Sequence, residues 1–396
     1  MTDLRQSIQS LAEKFKPEVQ AIREHLHKNP ELSFQEYKTA DFIEAELRKM
    51  GFTAIERKAD TGIVLLLHGS TPGKTIALRA DIDALPIVET NDVPYKSQNN
   101  GVMHACGHDV HTSSLLGAIK ILHELRAHWQ GTIKCIFQPG EEKAPGGASM
   151  LIKEGVLKNP EPKAILGQHV MPLIDAGKVG FRSGKYMASA DEIYLTIKGK
   201  GGHGAMPENA IDPIIIASHI IVALQTIVSR NASPKMPSVL TFGKIIGGGA
   251  NNVIPDEVKI DGTFRTFDEH WRSEAKQKIR EMAEGMAKSM GATCQVDIVD
   301  GYPFLENDPE LTQRMQKAAE AYLGKENVQN LDLWMAAEDF AYYSQHMSAC
   351  FYRLGVRNEG KGINSGVHTS TFDIDDDALK TGMGLMAWLA LQDIKA

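Results

Sequence analysis

From about Tyr186 onward the apolar residues follow a pattern that few folds can satisfy: strand DEIYLTIKGKG, helix over 210–229, strands SVLTFGKIIGG and DEVKIDGTFRTF, helix over 270–289, strand TCQVDIVDGYP. Segments in the order β-α-β-β-α-β predict a split βαβ, ferredoxin-like domain with an open sheet edge. Such a unit closes on itself, so the sequence on either side belongs to another domain that it interrupts.

The flanking sequence has a different rhythm. After amphipathic helices come the apolar runs IVLLLHG (63–69) and TIALRAD (75–81), then a helix over 110–128. Strands at 131–138 and 164–170 follow, flanking a short helix at 148–154. This alternation predicts an α/β layer with a mostly parallel central sheet. Beyond the insertion come a helix over 309–323, a polar segment, strand ACFYRLGV (349–356) and a closing helix over 375–393. Residues 1–185 and 300–396 are therefore read as one domain and 186–299 as the inserted α+β domain. The length of 396 residues also favours two cores over one. Ligands in such sheets lie beyond the strand ends, and Asp81, Glu141 and His169 all fall where an apolar run stops.

A formal charge of -7 with dispersed Lys and Arg residues offers no basic footprint, which argues against nucleic acid as a partner. No run of about 18 or more apolar residues occurs, which argues against a membrane span. The N-terminal segment reads as amphipathic helix rather than signal peptide, so the expected compartment is the cytoplasm. Cys106, Cys135, Cys294 and Cys350 are far apart and form no CxxC pair, so neither a disulfide framework nor a structural zinc knuckle is expected. Cys106 differs from the others in lying among histidines.

The octet His104-Ala105-Cys106-Gly107-His108-Asp109-Val110-His111 combines thiol, imidazole and carboxylate, the side chains that bind borderline transition metals. A loop of solvated histidines around a packed cysteine would carry the same residues. Glu141 and Glu142 directly follow a strand. Adjacent side chains on an irregular loop can diverge, letting one bind a cation while the other exchanges a proton with the attacking water. On an ordinary surface loop the same pair is simply solvated. His169, ending an apolar run, is by itself more often a hydrogen-bonded core residue than a ligand. His368, in NSGVHTS, says little alone.

Taken together the segments say more. LHKNPELSFQE (26–36), LRADIDALP (78–86), MHACGHDVHTSSLLGA (103–118), FQPGEE (137–142), GKGGHGAMP (199–207), NNVIPDEVKIDGTFRT (251–266) and AEDFAYY (337–343) occur in this order. The chain thereby resembles the aminoacylase/carboxypeptidase family of dinuclear metallohydrolases. Within it, the likeness is to the amidohydrolase branch of hippurate hydrolases, auxin-conjugate hydrolases and N-acetyl-diaminopimelate deacetylases, and it spans nearly the whole chain.

The resemblance implies that Cys106 bridges two divalent cations through its thiolate, that His108, Glu142, His169 and His368 complete the coordination, and that Glu141 is the general base and acid. In the peptidase branch an Asp bridges and a His leads the segment matching Asp81-Ile82-Asp83. This chain has Asp81 there, and Asp83 is read as orienting an imidazole. A thiolate favours zinc, whereas imidazole and carboxylate also accept manganese, cobalt or nickel. His203 would hold the oxyanion in its own or a partner subunit's site. Asn252 would meet the carbonyl oxygen, and Arg265 would grip the substrate carboxylate through two hydrogen bonds. The inserted domain would serve as lid and dimerisation surface of a homodimer. The implied reaction is hydrolysis of the amide in a small N-acyl amino acid. A dipeptidase or carboxypeptidase would use the same water chemistry, whereas a non-catalytic metal- or ligand-binding protein would have no use for an unliganded Glu141.

Overall fold

The structure is a computed structural model that describes residues 4–395. The chain forms two compact units, Met1–Gly184 with Glu306–Asp332 and Asp339–Ala396, and Lys185–Leu305 with Leu333–Glu338.

The first unit contains α1 (Leu4–Lys28), α2 (Tyr37–Lys49), β1 (Ile55–Lys58), β2 (Gly62–His68), β3 (Thr75–Asp81), α3 (His108–Glu124), β4 (Thr132–Gln138), α4 (Gly147–Lys153), β5 (Ala164–Asp175) and β6 (Val179–Phe181). It resumes with α5 (Pro309–Leu323), β7 (Val328–Asn330), β8 (Ser348–Arg357) and α6 (Asp377–Lys395). The sheet order is β1-β2-β4-β3-β5-β8-β6-β7. Its centre, β4-β3-β5-β8, is parallel, while β1-β2, β2-β4 and β8-β6 are antiparallel. The core of this unit joins Phe15, Val19 and Ile22 of α1, Leu115, Leu116, Ile119 and Leu122 of α3, and Met383, Leu385 and Met386 of α6 to the sheet residues Ile76, Leu78, Phe137 and Leu166.

Every residue of β3 is buried, as a strand covered on both faces requires, and this explains its near-continuous apolar run. The exceptions, Arg79 and Asp81, pair with each other at 2.5 Å. Helix α3 is buried almost all round and starts at His108, two residues earlier than the apolar pattern predicts. Its N-cap is Gly107, in the left-handed region at φ 80°. A Cβ there would come within 2.6 Å of Val170, so glycine is what lets the octet turn into the helix. The strand carrying His169 continues to Asp175, because it pairs with β8 well beyond His169. The expectation that His169 ends its strand is thus corrected: the apolar run stops there, but the ladder does not. The short strands β1, β6 and β7 had no signature in the sequence pattern.

The second unit is a four-stranded antiparallel sheet in the order Ser238–Gly247, Glu257–Thr266, Asp191–Lys198, Thr293–Asp300, with helices Pro213–Thr226 and Glu269–Ser289. Alternating burial along Asp191–Lys198 marks a sheet covered on one face. Asp212 caps the first helix, accepting from the amide of Ile214 at 2.8 Å, with Pro213 in the first turn. Ile193, Leu195, Ile216, Ile220, Leu224, Ile260 and Ile279 form the core. Helix residues 213–231 form the one stretch among the described residues that is long and apolar enough to cross a membrane. Ser218, His219 and Gln225 interrupt its apolar run. One face of this helix packs on the sheet, while Ile214, Ile215 and Val222 are exposed.

Gly167, two residues before His169, leaves room for two stacked rings: a Cβ there would lie 2.7 Å from both Phe340 and Phe351. Gly167→Ala is expected to cost about 1–3 kcal/mol, the usual penalty of overpacking. Urea denaturation with an unchanged slope would measure it, and an unshifted midpoint would mean that the rings have space to give.

Candidate metal centre

The first unit gathers the octet, the Glu-Glu loop, His169 and His368 around the C-terminal ends of β3 and β4. Asp81 is the last residue of β3, and Asp83 follows it. Cys106 lies in the turn ahead of α3, and His108 is that helix's first residue. Glu141 and Glu142 follow β4, and His169 projects from β5. His368, in the loop before α6, has φ 61°. This backbone state is uncommon outside glycine, though histidine is among the residues that tolerate it. Its amide donates to Ala105 O at 2.7 Å, which ties its loop to that of Cys106.

Hydrogen bonds fix where the imidazole protons point. His108 Nδ1 lies 3.1 Å from Asp83 Oδ1, so it carries the proton, and the buried Nε2 is left without a hydrogen-bond partner. His169 Nδ1 donates to Val170 O at 2.7 Å, leaving the lone pair of Nε2 facing Cys106 Sγ at 3.4 Å. In both, a back-side acceptor sets the tautomer in which Nε2 is free to bind a metal. His111 is different. Its Nε2 accepts from the Val170 amide at 2.8 Å and its Nδ1 donates to Asp81 at 2.5 Å, so both nitrogens are engaged.

Two sets of donors have their ligand atoms within 4.8 Å of one another: Cys106, His108 and His169, and Cys106, Glu142 and His368. They share the cysteine. Glu142 Oε1 lies 3.2 Å from His368 Nε2 yet has no aligned hydrogen bond, as two ligands facing a common ion would be arranged. A third set, His108 with Glu141 and Glu142, leaves Cys106 out. A fourth, Asp81 with His108 and His111, is a poor candidate, because Arg79 and His111 already hold Asp81. The side chains present therefore fit two cations of the kind that accept sulfur, nitrogen and oxygen together.

The electrostatics agree. Burial alone would lower the His108 imidazole, but Asp81, Asp83 and Glu142 outweigh it and push it up to about 10. Burial, with Glu142 and Glu141 adding to it, holds the Cys106 thiol well above its ordinary value. Burial also holds His169 well below the usual imidazole range, so it is neutral. The donors thus sit in a field negative enough to retain protons on a thiol and an imidazole. Divalent cations satisfy the same field by replacing those protons.

Glu141 is buried. Its Oε1 accepts from the Asp339 amide at 3.4 Å, and its Oε2 lies 4.0 Å from His108 Nε2. Behind it is a network that the sequence reading did not assemble. Arg79 donates to Gln138 at 2.9 Å, to Asp81 at 2.5 Å and to Asp339 at 2.8 Å, and Asp339 also accepts from Gln138 and from the Ala148 amide. Burial pushes the Asp339 carboxyl up to about 6, with Arg79 opposing. A charged residue inside the otherwise apolar strand TIALRAD was the available signal.

His203, Asn252 and Arg265 belong to the second unit. His203 pairs with Val253 in a two-residue ladder, and the Gly204 amide donates to Asn252 O at 2.8 Å, so His203 and Asn252 are neighbours on an exposed turn. Arg265 lies elsewhere, opposite Val239 on the strand Glu257–Thr266, half-buried, with Nε donating to Thr263 Oγ1 at 3.2 Å.

Residues 77–392 match the family described as Peptidase family M20/M25/M40. The chain is 42% identical to N-acetyl-L-cysteine deacetylase of Bacillus subtilis, over 90% of its own length and 84% of the relative's. It is 38% identical to thermostable carboxypeptidase 2 of Saccharolobus solfataricus, over 96% and 98% of the two chains. Its fold matches the crystal structure of the Bacillus subtilis YXEP protein, described as a dinuclear metal binding peptidase. The TM-score is 0.82 at 33% identity, covering 97% of this chain and 99% of that one.

If Asp83 sets the His108 tautomer, Asp83→Ala should weaken metal binding about 10–100-fold. Competition against a chromophoric chelator reads this directly, and an unchanged affinity would remove Asp83 from the centre.

Proposed function

The chain belongs to peptidase family M20/M25/M40, and on that premise we propose that it is a metal-dependent amidohydrolase, cutting the amide of an N-acyl amino acid into a carboxylate and a free amino acid. The observation that carries this reading is the overlap of two donor sets at Cys106 beside a buried carboxylate, Glu141, that belongs to neither. Two divalent cations, when bound, supply Lewis acidity that polarises the scissile carbonyl and acidifies water.

The chain's own residues do the rest. Cys106, His108 and His169 would hold one cation, and Cys106, Glu142 and His368 the other. Glu141 takes the proton of the attacking water on Oε2, the oxygen turned toward His108, while Oε1 stays with the Asp339 amide, and it then delivers that proton to the leaving nitrogen. His203 donates to the oxyanion and Asn252 to the carbonyl oxygen, while Arg265 grips the substrate carboxylate with its planar fork. The second unit acts as lid and dimerisation domain. The support for a homodimer is exposed apolar surface in the second unit: on helix Pro213–Thr226, where Val222 is 71% and Ile215 51% exposed, and at Ile245 and Ile246 of the edge strand. A shared thiolate favours zinc, with manganese next and cobalt or nickel accepted. Four free cysteines, one of them needed as a thiolate, suit the reducing cytoplasm. The relative named as a carboxypeptidase supports a second reading, peptide-bond cleavage by the same residues.

Parallel assays of acetyl-, benzoyl-, indole-acetyl- and succinyl-amino acids against dipeptides separate the two readings: turnover confined to dipeptides would replace the first by the second. In either case Glu141→Gln should slow turnover at least about 100-fold while two metals per chain remain by elemental analysis. Substantial activity in that variant would sink the mechanism.

A further inference from the structure

The segment LSFQE (32–36) ends in a residue with an unexplained position. Glu36 stands at the N-cap of α2, where a side chain usually accepts from its own helix, yet it makes no such bond. Its carboxylate is fully buried and turned away. Oε1 accepts from the Gly140 amide at 2.8 Å and from the Phe34 amide at 2.9 Å, and Oε2 accepts from Thr61 Oγ1 at 2.8 Å.

Gly140 immediately precedes Glu141. On the other side, the amide of Glu142 donates to Asp83 Oδ2 at 2.9 Å. Both amides flanking Glu141 therefore end on buried carboxylates. Asp83 also orients His108, but Glu36 touches neither a proposed ligand nor the base itself. Its second amide bond holds Phe34, an aromatic residue at φ 65°. The Phe34 ring fills the place of a side chain on Gly140, since a Cβ there would lie 2.2 Å from the ring, and Gly140 itself has φ 59°. One oxygen thus fixes the turn twice, by its amide and through the ring laid against it.

We propose that Glu36 is a positioning residue for the general base, holding the Pro139-Gly140-Glu141 turn through the Gly140 amide so that Glu141 meets the attacking water in register. This rests on Glu141 being the base. A carboxyl buried without a cationic partner is an expensive way to fill space, and an apolar side chain would serve packing at lower desolvation cost. Burial and the nearby Asp83 push the Glu36 carboxyl up to about 7. Ionised or protonated, it keeps Oε1 as an acceptor, because the proton can sit on Oε2 facing the Thr61 hydroxyl. Glutamine reproduces that arrangement: its carbonyl takes the two amides and its NH2 group faces a hydroxyl able to accept.

The test compares four variants of the metal-loaded full chain. Glu36→Ala is expected to lower kcat about 10–100-fold, the scale for misplacing a reacting group by roughly 1 Å, with KM within about twofold. Two metals per chain should remain by elemental analysis, and amide hydrogen exchange of the 139–142 segment should accelerate. Glu36→Gln should restore both kcat and exchange protection. Should Glu36→Ala fail to fold, Glu36→Asp withdraws the acceptor by one methylene and should give the same kcat loss at unchanged KM. The proposal is overturned if the folded Ala or Asp variant keeps wild-type kcat, or if the Gln variant is as slow as Ala. It is also overturned if exchange at 139–142 stays protected in the slowed variant. Glu141→Gln separates this from failure of the underlying mechanism. If that variant still turns over, the base assignment falls and Glu36 with it; if it is inactive while Glu36→Ala is not slowed, the clamp alone fails.

Discussion

Where β3 and β4 end, buried carboxylates outnumber the groups available to neutralise them, and most of the surrounding structure is arranged to manage that charge. Asp81 is held by Arg79 and His111, and burial would otherwise raise it; instead these partners and His108 keep it well below the usual carboxylate range. Arg79 divides its guanidinium between Asp81 and Asp339. Asp83 is satisfied by Ser33, His108 and the Glu142 amide. Glu141 and Glu142 crowd into the same site, where the thiol of Cys106 keeps its proton. A buried surplus of this kind is stable only with protons or cations in place, and the unpartnered His108 Nε2 together with the Glu142 oxygen facing His368 mark where cations would enter.

The same arrangement explains the fold around the site. Side chains that must hold a tautomer cannot sit on mobile loops, and here they stand at the ends of a strand covered on both faces and at the first turn of a helix buried almost all round. Gly107 lets the octet run straight into α3, and the His368 amide on Ala105 O ties a loop from far along the chain to the cysteine loop. The second unit is built on other terms, from alternating strands and capped helices around its own core, and it carries an exposed apolar helix face.

How much of this was legible in the sequence depended on the range of the interaction. The octet was legible because its donors are adjacent in the chain, and the β-α-β-β-α-β order because period-two and helical-period segments alternate cleanly, although the first helix begins at Pro213 rather than 210. His169 was only half legible: the end of its apolar run looked like the end of a strand, whereas pairing with β8 carries the strand on to Asp175. His111 has the same sequence surroundings as His108, and only the Val170 amide, 59 positions away, removes it from the donors. Glu36 could not be read at all, since its partner at Gly140 is 104 positions distant. Such residues are fixed by tertiary contacts that leave no local periodicity.

The central claim is that one sulfur, Cys106 Sγ, is shared by two cations. Anomalous diffraction from crystals grown with zinc tests it most directly. Two anomalous peaks are predicted, both bonded to the Cys106 sulfur, one completed by His108 and His169 and the other by Glu142 and His368. A single peak, or two peaks of which only one touches sulfur, would contradict it.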